Sequence, residues 1–250
     1  MVSTAALKAA IRQGLHAVWA NLFPILALQC AMAVTVALYF CWPAAAAVLS
    51  SFAAWQHSGG FLAAATATAL AGGALSEITL VYLCDKGRWT RQHVENLVFK
   101  MGMFSISGGV VFEFYQWQAV WFGTGLAWSV VVPKILVDQF IFSVFWATSY
   151  QTLMTRWQIL RFSGRRLWNE LDGNFVTQRM LPVLVINWMM WIPGVTLIYT
   201  MPLNLQTPMN IFGTAIWGIL LAAVAKQGQA GGNITAPVPA LSEIMAATPE

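Results

Sequence analysis

Lys134 and Asp138 are the residues with the clearest capacity for chemistry, because they are opposite charges inside an apolar stretch. The stretch runs from about residue 129 to 154, which is long enough to cross a bilayer. One charge near the centre of a membrane helix costs about 2.5–3.5 kcal/mol on insertion scales. Four residues apart on a helix, the two side chains share a face and can pair. Two interpretations stay open: a polar element facing a bundle interior or pore, or a lysine that snorkels to the outer interface beside its counter-ion.

Glu113 and Gln139 extend this polar set. Glu113 lies late in the preceding apolar stretch and is expected at a depth similar to that of Lys134. Antiparallel neighbours joined by a short connection often pack together. A cluster of Glu113, Lys134 and Asp138 is therefore one expectation. Gln139 directly follows Asp138 and joins the candidate pore-lining or gating residues.

Prolines and small residues indicate where helices bend and touch. Pro133 is expected in the first turn of a helix, where its missing N–H costs nothing. Pro193 and Pro202 are candidate helix breaks, because proline removes a backbone donor. Gly108 is a candidate packing residue, since glycine lets two membrane helices approach closely. Asn187 is expected to face the bundle interior.

Histidines and cysteines form no pattern for metal binding or nucleophilic catalysis. The histidines lie near span ends or in loops: His16, His57 and His93. None is spaced to bind a metal with cysteines or acids, and the three cysteines fit no paired spacing. No serine or cysteine has an identifiable base. The sequence therefore predicts no enzyme, no metal site and no cofactor.

The composition excludes an ordinary soluble domain. Of 250 residues, 58% are hydrophobic and 9% are charged, whereas a soluble domain carries roughly a quarter charged residues. The net charge of +4 does not indicate nucleic-acid binding, because the basic residues lie in short loops between apolar runs. A lipid bilayer is the predicted environment.

The chain is predicted to be an all-α, multi-pass transmembrane bundle. Nearly uncharged stretches of sufficient length fall at about 18–40, 59–84, 101–117, 129–154, 180–200 and 207–225. The predicted organisation is a basic segment and first transmembrane helix (1–40), an interfacial segment (41–58), the main bundle (59–226) and a flexible tail (227–250). Lys and Arg concentrate in alternate connections, 85–100 and 155–179 among them, which predicts that both termini lie inside.

The chain resembles the Mpv/PMP family of peroxisomal and mitochondrial inner-membrane proteins from Gly102 to about Leu221. The resemblance rests on short elements in matching order, which are Lys134 to Gln139, Gly108-Gly109 with Phe114-Tyr115, and Asn187, Trp191, Pro193, Pro202 and Trp217. Departures are also present. Ile192 splits the family's Trp-Pro pair, Gln206 replaces an expected Arg, and the first span is additional to the family's usual four helices.

The resemblance implies a small helical bundle that could assemble as a homo-oligomer. It implies a mitochondrial inner or peroxisomal membrane in a eukaryote, or the cytoplasmic membrane in a bacterium. The family is proposed to form channels for small solutes. A channel or pore with Lys134, Asp138 and Gln139 lining it is thus the leading expectation. A non-transporting membrane scaffold or assembly factor is the alternative.

Overall fold

The computed structural model describes residues 4–172 and 174–230, with side chains described as far as Ile219 apart from Ala5. All regular secondary structure in that part of the chain is helical, which confirms the predicted all-α class. The helices are α1 (Thr4–Ala20), α2 (Leu22–Cys41), α3 (Pro43–Cys84), α4 (Arg91–Phe122), α5 (Trp128–Ile159), α6 (Gly164–Glu170), α7 (Val176–Tyr199) and α8 (Leu203–Ala230).

Five of these helices are long and apolar enough to cross a membrane: α2, α3, α4, α5 and α7. The predicted multi-pass bundle is therefore confirmed. The expected sixth span, 207–225, lies inside α8, whose side chains are described only in part. Six crossings with both termini inside remain a prediction. Most of the predicted tail lies outside the described residues, although residues 227–230 still belong to α8.

The first span begins later than the sequence indicated. The predicted start at residue 18 falls in α1, which ends at Ala20, and α2 starts at Leu22. Asn21 separates the two helices, and its buried side-chain amide donates to the carbonyl of Ala17 over 2.8 Å. A polar side chain that bonds its own backbone competes with regular helix at that point.

The predicted interfacial segment 41–58 is helical from Pro43 onwards and forms the first part of α3, whereas Cys41 ends α2. The helix bends at Gly60, whose φ of 54° and ψ of −136° are not helical. Only glycine adopts such angles without steric cost. The bend separates the first part of α3 from the part that follows, and the interfacial placement itself remains a prediction.

Two expectations about proline are wrong. Pro133 lies in the interior of α5, which already begins at Trp128, and not in a first turn. Pro193 does not break α7, which continues to Tyr199. The carbonyl four residues before Pro193 would lose its helical donor, but Gln29 of α2 donates to this carbonyl of Met189 over 3.0 Å. The neighbouring helix thus satisfies the freed group.

The first two helices belong to the bundle. Leu28 and Met32 of α2 lie in the main hydrophobic core together with Tyr199 of α7. A second cluster joins Val18 of α1 to Val185 of α7. These contacts of α1 and α2 with α7 determine how α7 is oriented in the bundle, and α7 carries several of the candidate functional residues.

Close backbone approach joins α3 to α4. A Cβ atom added to Gly108 would lie 2.3 Å from the Thr68 hydroxyl oxygen. One added to Gly73 would lie 2.7 Å from the backbone of Met101. Both distances are far below van der Waals contact, so only glycine permits this spacing. Gly108 therefore lies at the helix contact expected from the sequence.

Candidate functional site

A cavity of about 190 Å³ runs inside the bundle between α3, α4, α5, α7 and α8. On α5 its lining extends from Asp138 to Gln158, and on α4 from Lys100 to Tyr115. At 1.5 Å of rise per residue, and less where α5 is π-helical from Asp138 to Ala147, these stretches measure at most about 30 Å and 22 Å. The cavity is therefore long and narrow, with its length along the helices.

Asp138 lies at one end of this cavity and is buried. Its carboxylate accepts hydrogen bonds from the Tyr199 hydroxyl at 2.6 Å and from the Gln139 side-chain amide at 2.8 Å. Tyr115 also borders this end and contacts Tyr199 edge to face, with ring centroids 5.5 Å apart. Two hydrogen bonds to one carboxylate compensate in part for its removal from water.

The ion pair expected between Lys134 and Asp138 does not form. Among the described residues, no carboxylate oxygen lies within 4.0 Å of the Lys134 ammonium nitrogen. That nitrogen lies 5.8 Å from the ring centroid of Tyr199, within range of a cation–π contact. Tyr199 thus stands between the charges, with its ring towards Lys134 and its hydroxyl on Asp138. Spacing along α5 could not predict this residue from α7.

Snorkelling of Lys134 does not fit its burial, because the residue is only 2% exposed and is enclosed by protein. Neither Lys134 nor the half-buried Glu113 is part of the described cavity lining. The expected cluster of Glu113, Lys134 and Asp138 is not formed by ion pairs in the described part of the chain. Lys134 therefore meets the site at the ring of Tyr199, and Glu113 is not among the lining residues.

Gln139 and Asn187 line the cavity with unsatisfied polar atoms. The side-chain oxygen of Gln139 and the side-chain nitrogen of Asn187 are buried without a protein partner in the described residues. The backbone carbonyl of Gln139 accepts from the indole N–H of Trp188 over 2.8 Å, which brings α7 against α5 at this level. Buried polar atoms of this kind are normally satisfied by water or ligand.

The remaining candidates from the sequence lie on α7 and α8. Trp191 and Trp217 line the cavity and supply apolar walls. Pro193 lies within α7, and Pro202 lies in the short connection before α8. Pro202 therefore occupies a true break, whereas Pro193 does not.

The wider helical turn at Asp138–Ala147 is a feature that sequence reasoning missed. This segment is π-helical rather than α-helical, and such segments are frequent at functional sites. It turns Asp138, Gln139 and Ser143 together towards the interior, where all three are buried and line the cavity.

Comparison with known families, characterised proteins and solved structures finds no match. The geometry of the cavity therefore carries the functional argument.

The far end of the cavity carries residues that the sequence did not single out. Lys100, Ser76, Thr155 and Gln158 line it. Lys100 is held by Glu77 of α3, with the ammonium nitrogen 2.5 Å from a carboxylate oxygen. An acidic residue thus borders one end of the cavity and a basic residue the other. In the sequence, the basic residues of 85–100 indicate a connection on the inner side of the membrane. That interpretation does not predict that Lys100 lies on a cavity wall.

Proposed function

We propose that this integral membrane protein conducts a small solute or ion along the cavity inside its bundle. The observation that carries the proposal is the length over which polar side chains recur in a largely apolar lining. A hydrocarbon core is about 30 Å thick, and the lining on α5 from Asp138 to Gln158 covers at most about 30 Å. Polar side chains recur over that whole length in the interior of the bundle, where a hydrated path would solvate them.

The chemistry of the lining supports a hydrated path. Hydroxyl and amide side chains occur along its length, including Ser107, Ser143, Thr155 and Asn210. The cavity also exposes orphaned polar atoms that need partners. Within a membrane such groups are tolerated where they face water or protein. Water or a small polar solute satisfies them at little cost, whereas lipid chains would not.

The resemblance to the Mpv/PMP family supports the same proposal, since channels for small solutes are proposed for that family. Under this proposal Asp138 and Gln139 line the path, while Lys134 positions Tyr199 beside it. The solute stays unassigned. The membrane would be mitochondrial, peroxisomal or bacterial cytoplasmic, and assembly as a homo-oligomer is compatible with the apolar outer faces of α2 and α5.

Flux through purified protein in sealed vesicles tests the proposal. Vesicles loaded with small polar solutes of graded size should release the smallest of them faster than protein-free vesicles. Asp138→Asn should alter that release, because it removes a charge from the cavity wall. Glu113→Gln is the matched control, since this half-buried carboxylate lies off the cavity. Equal release from protein-containing and empty vesicles would refute conduction.

A non-transporting scaffold is the second candidate, and one contact favours it. The bond from the Tyr199 hydroxyl to Asp138 ties α7 to α5 deep in the bundle. If this bond exists only to lock helix packing, its removal lowers stability, and neither the wild type nor the variant conducts. The vesicle assay therefore separates the two candidates.

A further inference from the structure

Four titratable groups form a buried chain at the end of the bundle near the connection between α3 and α4. Glu77 is fully buried, and its two carboxylate oxygens face different partners. One oxygen lies 2.5 Å from the Lys100 ammonium, and the other lies 3.3 Å from Nδ1 of His93. Nε2 of the same histidine lies 3.7 Å from a carboxylate oxygen of Asp85. We call Asp85, His93, Glu77 and Lys100 the charged cluster.

The cluster connects solvent with the cavity. The side chain of Asp85 is 30% exposed in the connection after α3. His93 and Glu77 are buried behind it, and Lys100 lies on the cavity wall beside Ser76. From His93 to Lys100 the helix rises about 10 Å. The groups therefore follow one another from the surface into the bundle interior.

His93 is the group suited to carry a proton in this chain. A neutral imidazole has one N–H and one lone pair, whereas an imidazolium donates from both nitrogens. Both nitrogens of His93 face carboxylate oxygens, so only the imidazolium directs an N–H at each of them. With His93 protonated, the four charges sum to zero, which suits a buried position.

The other charged groups beside the cluster are exposed: Lys86 and Arg88 follow Asp85 in the connection, and Arg161 donates to Gln92 next to His93. Glu77 and Asp85 come from the end of α3, and His93 and Lys100 come from α4. The described part of α8, which packs against the end of α3, carries no titratable side chain. On α4 itself, Arg91 pairs with Glu95, and both are exposed.

We propose that the charged cluster is a proton relay from the surface at Asp85 to the cavity wall at Lys100. Starting from the neutral ring with its proton on Nδ1, His93 takes a proton at Nε2 from the Asp85 side and becomes the imidazolium. It then releases the proton on Nδ1 to Glu77, and the ring is reset when the remaining proton moves from Nε2 to Nδ1. Lys100 gives one of its protons to water in the cavity and takes the proton from Glu77. Each step moves one proton and changes no other bond. Histidine–carboxylate chains serve this purpose in membrane transporters.

The relay depends on the proposed function only for what the delivered proton does in the cavity. Proton movement is therefore measured separately from solute release. Vesicles carry a trapped pH-sensitive dye and a potassium gradient with valinomycin, so that a voltage drives protons inward. Release of a small uncharged solute is followed in parallel samples.

Glu77→Gln and His93→Gln should each slow proton uptake about a hundredfold, because a positioned proton-transfer group contributes at least that much. Asp85→Asn, at the partly exposed end, should slow uptake by a smaller factor, because water can replace the side chain there. This variant also tests the relay if the buried substitutions prevent folding. Glu95→Gln is the matched control, since this exposed carboxylate lies on the same helix outside the cluster.

The results separate the two proposals. Proton uptake that falls in the cluster variants while Glu95→Gln behaves as wild type supports the relay, whether or not solute passes. Solute release without proton uptake by the wild type overturns the relay and leaves conduction standing. Uptake that is unchanged in Asp85→Asn and in every folded cluster variant also overturns it. Wild-type vesicles that pass neither protons nor solute contradict both proposals.

Discussion

Removing the Tyr199 hydroxyl should weaken the bundle more than removing an ordinary tyrosine hydroxyl. In Tyr199→Phe the ring that faces Lys134 stays, but Asp138 loses its 2.6 Å donor. A hydrogen bond to a charged group contributes about 1.5–3 kcal/mol. For chains of this size, 1 kcal/mol corresponds to roughly 2–4 °C in Tm. We therefore expect a loss of about 3–12 °C.

Thermal unfolding of purified protein in one fixed detergent measures this loss. Tyr150→Phe is the matched control, because the Tyr150 hydroxyl donates to a neutral acceptor, the carbonyl of Met103, over 3.1 Å. A neutral bond contributes about 0.5–1.5 kcal/mol, so the control should lose roughly half as much. A Tyr199→Phe variant as stable as wild type, or one that loses less than the control, would refute a buried Asp138 carboxylate held by Tyr199.

Three further predictions concern packing and the loop side of the bundle. Gly108→Ala should lower the free energy of unfolding by about 1–3 kcal/mol, because the added methyl group overpacks the contact between α3 and α4. Gly102→Ala is the control and should be tolerated, since open space surrounds that position. Denaturant titration compares the two variants. Gln29→Leu should cost about 1–3 kcal/mol by orphaning a carbonyl of α7, and an unchanged unfolding midpoint would contradict this. Two hydrogen bonds from Arg156 lower the pKa of Glu170 below its ordinary value. The ionised Glu170 therefore stabilises the folded state fully above the ordinary pKa of glutamate, and this stabilisation is lost as pH falls through the lowered pKa of the folded state. Thermal melts from about pH 7 to pH 3 should lose more stability on acidification in wild type than in Glu170→Gln, and parallel curves would contradict the assignment.

The sequence predicted the membrane bundle because apolar length and low charge are local properties of each segment. The apolar runs lie largely within helices, but some helices begin well before them: α4 begins at Arg91 and α3 at Pro43, whereas the predicted runs begin at 101 and 59. The same information predicted a helix break at Pro193. That prediction failed because the donor to the freed carbonyl, Gln29, lies on a helix about 160 residues away in sequence. Local rules cannot anticipate a partner at that separation.

The site was predicted in part for the same reason. Asp138 and Gln139 were found because a charge and an amide in an apolar run must face something polar. The pairing with Lys134 was inferred from helical spacing alone, which could not show that Tyr199 of α7 binds the Asp138 carboxylate instead. Tyr199 entered the site from another helix, and an aromatic residue in an apolar run gives no polar signal.

Local sequence patterns also could not predict the charged cluster. Glu77 and His93 lie 16 residues apart, on separate helices joined by a charged connection. In sequence, Glu77 resembles a boundary carboxylate near a basic loop. Only the packing of α3 on α4, which Gly73 and Gly108 permit, brings the four groups together.

Accessibility of single cysteines during conductance recording tests the central claim most directly. Ser143 is buried on the cavity wall of α5, and Phe145, two residues later, is 77% exposed on the outside of the bundle. In a background lacking Cys30, Cys41 and Cys84, a small charged methanethiosulfonate reagent should block current through Ser143→Cys. It should leave Phe145→Cys unaffected, because the thiolate needed for reaction does not form in lipid. Current or solute release that ignores the reagent at Ser143→Cys, or neither current nor solute release in either variant, would contradict a conducting cavity.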